Sequence, residues 1–392
     1  MNNIRKLIDD LKSWASGGDS ISSTVEARIP TTDLLKDYEE HAVESSLEPL
    51  VIETKLSDYG IEGCVQDIHK GPMITRYDIK LARGVRVSQV KKISEDLEIA
   101  LMSGKVIIQA PIPGTDSIGI QVANDDISTV GLKGIIEAVQ LSNMELPIGI
   151  GVDILGKPQV VDLAKLPHLL IAGQTGSGKS VGLNSILMSI LFTKTPEECQ
   201  LVIVDPKRVE MSAYQGIPHL LRPVVTDSDE AVEVFGELVT EMENRYRILA
   251  GARVKNIVSY NAISNERMPY IVAVVDEMAD LMMTSSKQIE PHIVRLAQLA
   301  RAVGIHLVMA TQKPIVKVIT GLIKSNMPSR ISYQVASGCD SRVILDSNGA
   351  EKLLGRGDLL MTYPGASEPV RFHGAWVSEQ EVERVCNYIK GE

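Results

Sequence analysis

The chain has 392 residues, 44% of them hydrophobic and 23% charged, and it carries a formal net charge of −10. That length holds two or three domains of about 100–200 residues each, and the composition is that of an ordinary globular protein rather than a disordered one. The acidic balance excludes a protein whose whole surface coats nucleic acid, since such binding is driven by Lys and Arg displacing counterions from phosphates; local basic patches stay open.

In chain order, Met1 to Ser16 spaces Ile4, Leu7, Ile8, Leu11 and Trp14 along one face of an amphipathic helix, which Gly17-Gly18-Asp19-Ser20 ends. Residues 1–49 are expected to hold this helix and a linker. Asp9 and Asp10 among Arg5, Lys6 and Lys12 favour packing on protein over a membrane surface. Residues 50–148 read as a small α+β domain. Its strands are expected at Gly60–Ile68, Met73–Leu81, Val106–Gln109 and Ile118–Val122, with a helix over Ser88–Met102. Nothing here forms a catalytic constellation, and His69 reads as a surface or turn residue.

From Gly149 the grammar changes. Short apolar runs at Leu169–Ala172, Leu201–Val204, Ile271–Val275 and Leu307–Ala310 alternate with longer helical segments. That alternation predicts a parallel sheet buried on both faces, so residues 149–392 are expected to form an α/β domain. Asp229–Leu249 is a predicted helix with a capping box from Asp227 and Glu230, and a last helix is expected from Ser378. No run of about 18 apolar residues occurs, so no membrane-spanning helix is expected. Met1 to Lys6 has no long apolar core behind it, unlike a secretory signal. Cys64, Cys199, Cys339 and Cys386 are scattered, which argues against a zinc site or disulfide framework and for the reducing cytoplasm.

The strongest motif is Gly173-Gln174-Thr175-Gly176-Ser177-Gly178-Lys179-Ser180, lying between an apolar strand and a helix bearing Leu183, Leu187, Ile190 and Leu191. Glycines let backbone N–H groups wrap phosphates without side-chain obstruction. The helix N-terminus adds partial positive charge, Lys179 reaches the β- and γ-phosphates, and Ser180 supplies a ligand to Mg²⁺. ATP with Mg²⁺ is the expected ligand. A second element is Ile271-Val272-Ala273-Val274-Val275-Asp276-Glu277: Asp276 would hold Mg²⁺ through water and Glu277 would polarise the attacking water. The other strand end, Asp205, is followed by Pro206-Lys207 and lacks a second carboxylate. At the tip of a third strand, Gln312 is placed to sense the γ-phosphate.

These motifs sit in a longer ordered string. It includes Val204-Asp205-Pro206-Lys207, Gly216-Ile217-Pro218-His219-Leu220-Leu221, Asp276-Glu277-Met278-Ala279-Asp280, Ala300-Arg301-Ala302-Val303-Gly304 and Gly357-Asp358-Leu359-Leu360. Upstream stand Tyr59-Gly60-Ile61-Glu62-Gly63 and Gly71-Pro72-Met73-Ile74-Thr75-Arg76-Tyr77. From Leu50 to Val377 the chain closely resembles the motor region of the FtsK/SpoIIIE family of DNA translocases with its preceding small domain. The resemblance implies a RecA-like P-loop core with a mainly parallel sheet, assembly into a homo-hexameric ring, and double-stranded DNA threaded through it. It further implies Arg301 as an arginine finger toward a neighbouring subunit's γ-phosphate, and Lys313, Lys324 and Arg342 as contacts to the DNA backbone. A ring repeats each basic residue around one DNA axis, which reconciles the acidic composition with a polyanionic load.

Three departures from the family pattern stand out. A Lys usual near Ser337-Gly338-Cys339-Asp340 is missing, and neither the membrane-spanning region nor the C-terminal winged helix of full-length members is expected here. The competing functions are a protein-secretion ATPase and a mobile-element transfer ATPase. Secretion systems usually carry several motor domains in tandem, where this sequence has one P-loop.

Overall fold

The computed structural model describes residues 28–38, 48–102, 105–112, 114–366 and 368–392, so the helix expected over Met1–Ser16 lies outside the described residues. A helix over Glu48–Asp58 buries Ile52 and Leu56 in the core of a four-stranded antiparallel sheet. Its strands are β1 (Gly63–Lys70), β2 (Ile74–Leu81), β3 (Val106–Gln109) and β4 (Ile118–Ala123), in the order β1-β2-β4-β3. His69, expected at a surface or turn, lies in β1 with Nε2 3.1 Å from Asp78 Oδ2. The single helix expected over Ser88–Met102 is two, Val87–Lys92 and Ser94–Ala100, separated at Ile93. The burial of Val90, Ile93 and Leu97 survives the break, which is why apolar spacing alone does not reveal it.

The second unit is a nine-stranded sheet in the order β6-β5-β13-β12-β11-β7-β10-β9-β8. The strands are β5 (Pro147–Asp153), β6 (Pro158–Asp162), β7 (His168–Ala172), β8 (Cys199–Val204), β9 (Tyr270–Val275), β10 (Ile305–Thr311), β11 (Ser329–Tyr333), β12 (Asp358–Thr362) and β13 (Val370–Gly374). Strands β11, β7, β10, β9 and β8 are parallel neighbours. Every residue of β7, β9 and β10 is buried, as a sheet covered on both faces requires. This is the expected parallel core. Strands β12, β13, β5 and β6 extend it with antiparallel pairing. The helix Ser228–Gly251 starts where Asp227 accepts from the Asp229 and Glu230 amides, half of the expected capping box. The last helix, Glu379–Lys390, has a complete one from Ser378 and Glu381.

Two segments depart from the expected division. The small domain is expected over residues 50–148, but the helix Leu132–Gln140 puts Leu132, Ile135, Ile136 and Val139 into the large core against β5. Packing therefore divides the units within 124–131. Upstream, the segment Arg28–Tyr38 also lies on the large unit: Leu35 is buried in its core and the Lys36 amide donates to Glu381 Oε1 at 2.8 Å. The two sheets are tied where Arg371, paired with Asp358 through two hydrogen bonds, also donates to Gln121 Oε1 of β4 at 2.8 Å.

Candidate functional site

Strand β7 ends in the middle of the parallel core, between β10 and β11. Ligands of open α/β sheets bind beyond the carboxyl ends of such strands. The loop after it passes Gly173 to Gly178 and enters the helix Lys179–Leu191. Gly178 has φ 108°, and a Cβ there would lie 2.6 Å from the Gly357 amide nitrogen. Only glycine meets both demands. The loop is braced from outside by the Gly357 amide, which donates to the Ser177 carbonyl at 2.9 Å.

Below the loop, β9 delivers Asp276 and Glu277, both buried. Lys179 Nζ donates to the Asp276 carbonyl and to its Oδ1, each at 2.7 Å. Asp276 Oδ2 and Ser177 Oγ are buried with no hydrogen-bond partner among the described residues. Unmatched buried polar atoms beside a phosphate-binding loop fit a hydrated divalent cation and a phosphate oxygen.

Glu277 is held on both oxygens. Oε1 accepts from Thr311 Oγ1 at 2.8 Å and the Gln312 amide at 3.1 Å, while Oε2 accepts from Lys207 Nζ at 2.9 Å. It also caps the helix Met278–Thr284 by accepting from the Ala279 amide. Burial alone would raise this carboxyl, but Lys207, Thr311 and the Gln312 amide outweigh it and hold it below the usual range. Glu277 is therefore ionised and oriented. Gln312 joins the β10 tip to the phosphate loop, its Oε1 accepting from Thr175 Oγ1 at 3.2 Å.

Beside this cluster opens a cavity of about 540 Å³ whose lining includes Gln174, Thr175, Gly176, Gly178, Lys179, Ser180 and Gln312. Residues that sequence reasoning left without a role also reach it: Glu210, Arg356, Tyr38 and Trp376. Arg356 has φ 52°, between Gly355 at 81° and Gly357 at 96°. A left-handed non-glycine residue is uncommon and clusters at functional sites. The Gly-Arg-Gly spacing was the available signal. For Lys207, the signal was the Asp205-Pro206-Lys207 run.

The remaining expected residues lie elsewhere. Arg301 is exposed in the turn before β10, whereas Gln312 follows its other end. A strand of seven residues spans about 23 Å, so Arg301 stands at the opposite end of the strands from its own phosphate loop. Lys313 is exposed after β10. Lys324 and Arg342 are brought together, with Lys324 Nζ 3.2 Å from the Arg342 carbonyl and 2.6 Å from Asp346 Oδ1. Arg342 donates to Asn348 Oδ1 at 2.6 Å.

The FtsK/SpoIIIE family profile matches residues 136–268 and 262–316, and the FtsK alpha domain profile matches 29–124. This chain belongs to the FtsK/SpoIIIE family. The DNA translocase FtsK of Campylobacter jejuni is 48% identical over 375 residues, covering 93% of this chain and 40% of that protein. The DNA translocase FtsK of Caldanaerobacter subterraneus is 50% identical over 342 residues, covering 86% of this chain and 48% of that protein. The chain thus spans about half the length of these relatives, or less. Among solved structures, the pCW3 conjugation coupling protein TcpA with ATPγS superposes with a TM-score of 0.59 at 24% identity, over 88% of this chain and 99% of that one. The cytoplasmic domain of the Thermomonospora curvata Type VII secretion ATPase EccC gives 0.55 at 24% identity, over 63% and 31%. These two likenesses establish the P-loop ATPase fold. The alpha domain profile covers the small antiparallel sheet and ends at 124, while its start at 29 takes in the segment that packs on the large unit. No helix among the described residues is long and apolar enough to cross a membrane.

Proposed function

We propose that this chain is an ATP-driven motor that moves double-stranded DNA, working in the cytoplasm as a homo-hexameric ring. The observation that carries the enzymatic half is the cluster beneath the phosphate loop: Lys179 on Asp276 at 2.7 Å, beside a buried, ionised Glu277. The likeness to proteins named DNA translocase FtsK supports the load.

In this reading Lys179 exchanges its Asp276 contact for the β- and γ-phosphates, with the loop amides and the helix N-terminus completing the anion cradle. Asp276 and Ser180 would hold Mg²⁺, which when bound neutralises developing charge on the phosphoryl oxygens. Glu277 accepts the proton of the attacking water, and Gln312 couples that event to β10. Arg301 acts on a neighbouring subunit's nucleotide, since its own phosphate loop is out of reach. Lys313, Lys324 and Arg342 contact the DNA backbone, which positions the duplex without reading its sequence.

The test is ATP hydrolysis with and without linear duplex DNA. Duplex of any sequence should stimulate turnover, and added salt should weaken the stimulation because phosphate neutralisation releases counterions. Changing Lys313, Lys324 and Arg342 together to Ala should remove it. Stimulation by an unfolded polypeptide and none by duplex DNA would overturn the reading in favour of secretion.

A further inference from the structure

We infer that Arg245 and Tyr246, neighbours on the helix Ser228–Gly251, are positioning residues for Arg301: together they clamp both ends of the short turn that carries it. The inference rests on reading Arg301 as the group that acts on a neighbouring subunit's nucleotide, and adds what holds that group in place.

Arg301 is exposed on the four-residue 3₁₀ turn Ala300–Val303, between the helix Ser286–Leu299 and β10. A cation that must meet a transferring phosphoryl group has to be held to a fraction of an ångström, and a turn this short cannot hold itself. The helix Ser228–Gly251 supplies the hold from outside. Tyr246 Oη donates to the Leu299 carbonyl at 2.6 Å, just ahead of the turn, and Arg245 Nη1 donates to the Val303 carbonyl at 3.0 Å, at its end. Consecutive residues of a helix point about 100° apart, so one partner can enter the core while the other runs along the surface. Arg245 is fully buried and Tyr246 is 36% exposed.

Arg245 does more than satisfy one carbonyl. Its Nη1 also donates to the Pro269 carbonyl at 2.7 Å, and its Nε donates to Glu241 Oε1 at 2.8 Å, one turn back on the same helix. Pro269 immediately precedes β9, so a single nitrogen ties the Arg301 turn to the start of the strand whose other end delivers Asp276 and Glu277. Ahead of the turn, Arg295 Nη2 pairs with Glu243 Oε1 at 2.5 Å, a further tie between the same two helices. Burying a guanidinium is costly, and a well-packed apolar side chain often serves stability as well. What an apolar side chain cannot do is hold two backbone carbonyls at a fixed separation. The exposed Arg301 is thereby set in a fixed relation to the strand that carries its own subunit's carboxylates.

The test is ATP hydrolysis by the full chain with duplex DNA present, read as kcat and KM for ATP. Tyr246→Phe keeps the ring and removes only the bond to Leu299. It should lower kcat about tenfold, the upper scale of one hydrogen bond lost in the transition state, and leave KM unchanged. Added to Arg301→Ala it should cost nothing further, since a clamp without its arginine has nothing to position. Mixed with Lys179→Ala subunits, Tyr246→Phe subunits should regain turnover, because the neighbour supplies a correctly held Arg301. Arg245→Lys, which keeps the charge opposite Glu241, should behave the same way; if it does not fold, Tyr246→Phe decides alone. The clamp is refuted if Tyr246→Phe turns over like wild type, if its loss multiplies that of Arg301→Ala, or if mixing rescues Arg301→Ala but not Tyr246→Phe. An Arg301→Ala chain with normal turnover would instead remove the finger assignment, and the clamp with it.

Discussion

Glu277 carries two duties, and they dictate how it must be tested. Its carboxylate is the candidate base and also the cap of the helix Met278–Thr284, so Glu277→Ala would remove both and lose about 1 kcal/mol of helix capping besides. Glu277→Gln keeps an acceptor oxygen for the Ala279 amide while removing basicity. That variant should bind ATP normally and hydrolyse it about 100-fold or more slowly, the usual scale of a lost general base. Near-normal turnover would reassign Glu277 to structure and direct attention to Glu210, which lines the cavity. The Asp276-Glu277 pair was legible because a strand-end Asp–Glu beside a P-loop has a chemical meaning. Lys207 on Glu277 Oε2 was not, since seventy residues separate the partners and no local rule pairs them.

At the scale of elements, parallel packing decides which end of a strand each residue occupies. Strand β10 runs from the Arg301 turn to Gln312, so the two residues stand at opposite ends of one strand. The expected outcome is that Arg301→Ala binds nucleotide normally, hydrolyses it about 10³-fold more slowly, and regains activity when mixed with Lys179→Ala subunits. Mixed rings pair an intact loop with an intact finger; confirmed mixed rings with no rescue at any ratio would sink the trans assignment. The apolar runs announced β7 to β10 because burial on both faces leaves a continuous signal. Strands β5, β6, β12 and β13 pair antiparallel at one flank, where the run Pro158–Asp162 is only half-buried for most of its length. That outermost strand, β6, carries no comparable signature.

Across the whole molecule, buried histidines set the acid limit. Burial pushes His168 down to about 3, with His306 adding to it, and pushes His306 and His373 down to about 4. All three are fully buried and so remain neutral in the fold. Their ordinary value is 6.5, so as pH falls below it the unfolded chain takes up protons that the folded chain refuses. The sign is therefore loss of stability on acidification, from about 6.5 down to about 4, at up to roughly 1.4 kcal/mol per pH unit for each histidine. Thermal unfolding between pH 7 and pH 5 should show a falling midpoint. A midpoint independent of pH over that range would mean that these histidines titrate in the folded protein.

What the sequence determined by itself is whatever local chemistry encodes: the phosphate loop, from a glycine spacing that frees backbone amides; the parallel core, from strands buried on both faces; and the ordered motifs that mark the family. Tertiary structure alone decided the rest. It drew the helix Leu132–Gln140 into the large core, set Lys207 on Glu277, and brought Tyr38, Val130 and Trp376 to one cavity. These are contacts between residues far apart in the chain, made by close packing once the elements have docked, and they leave no periodicity or spacing for a sequence to display.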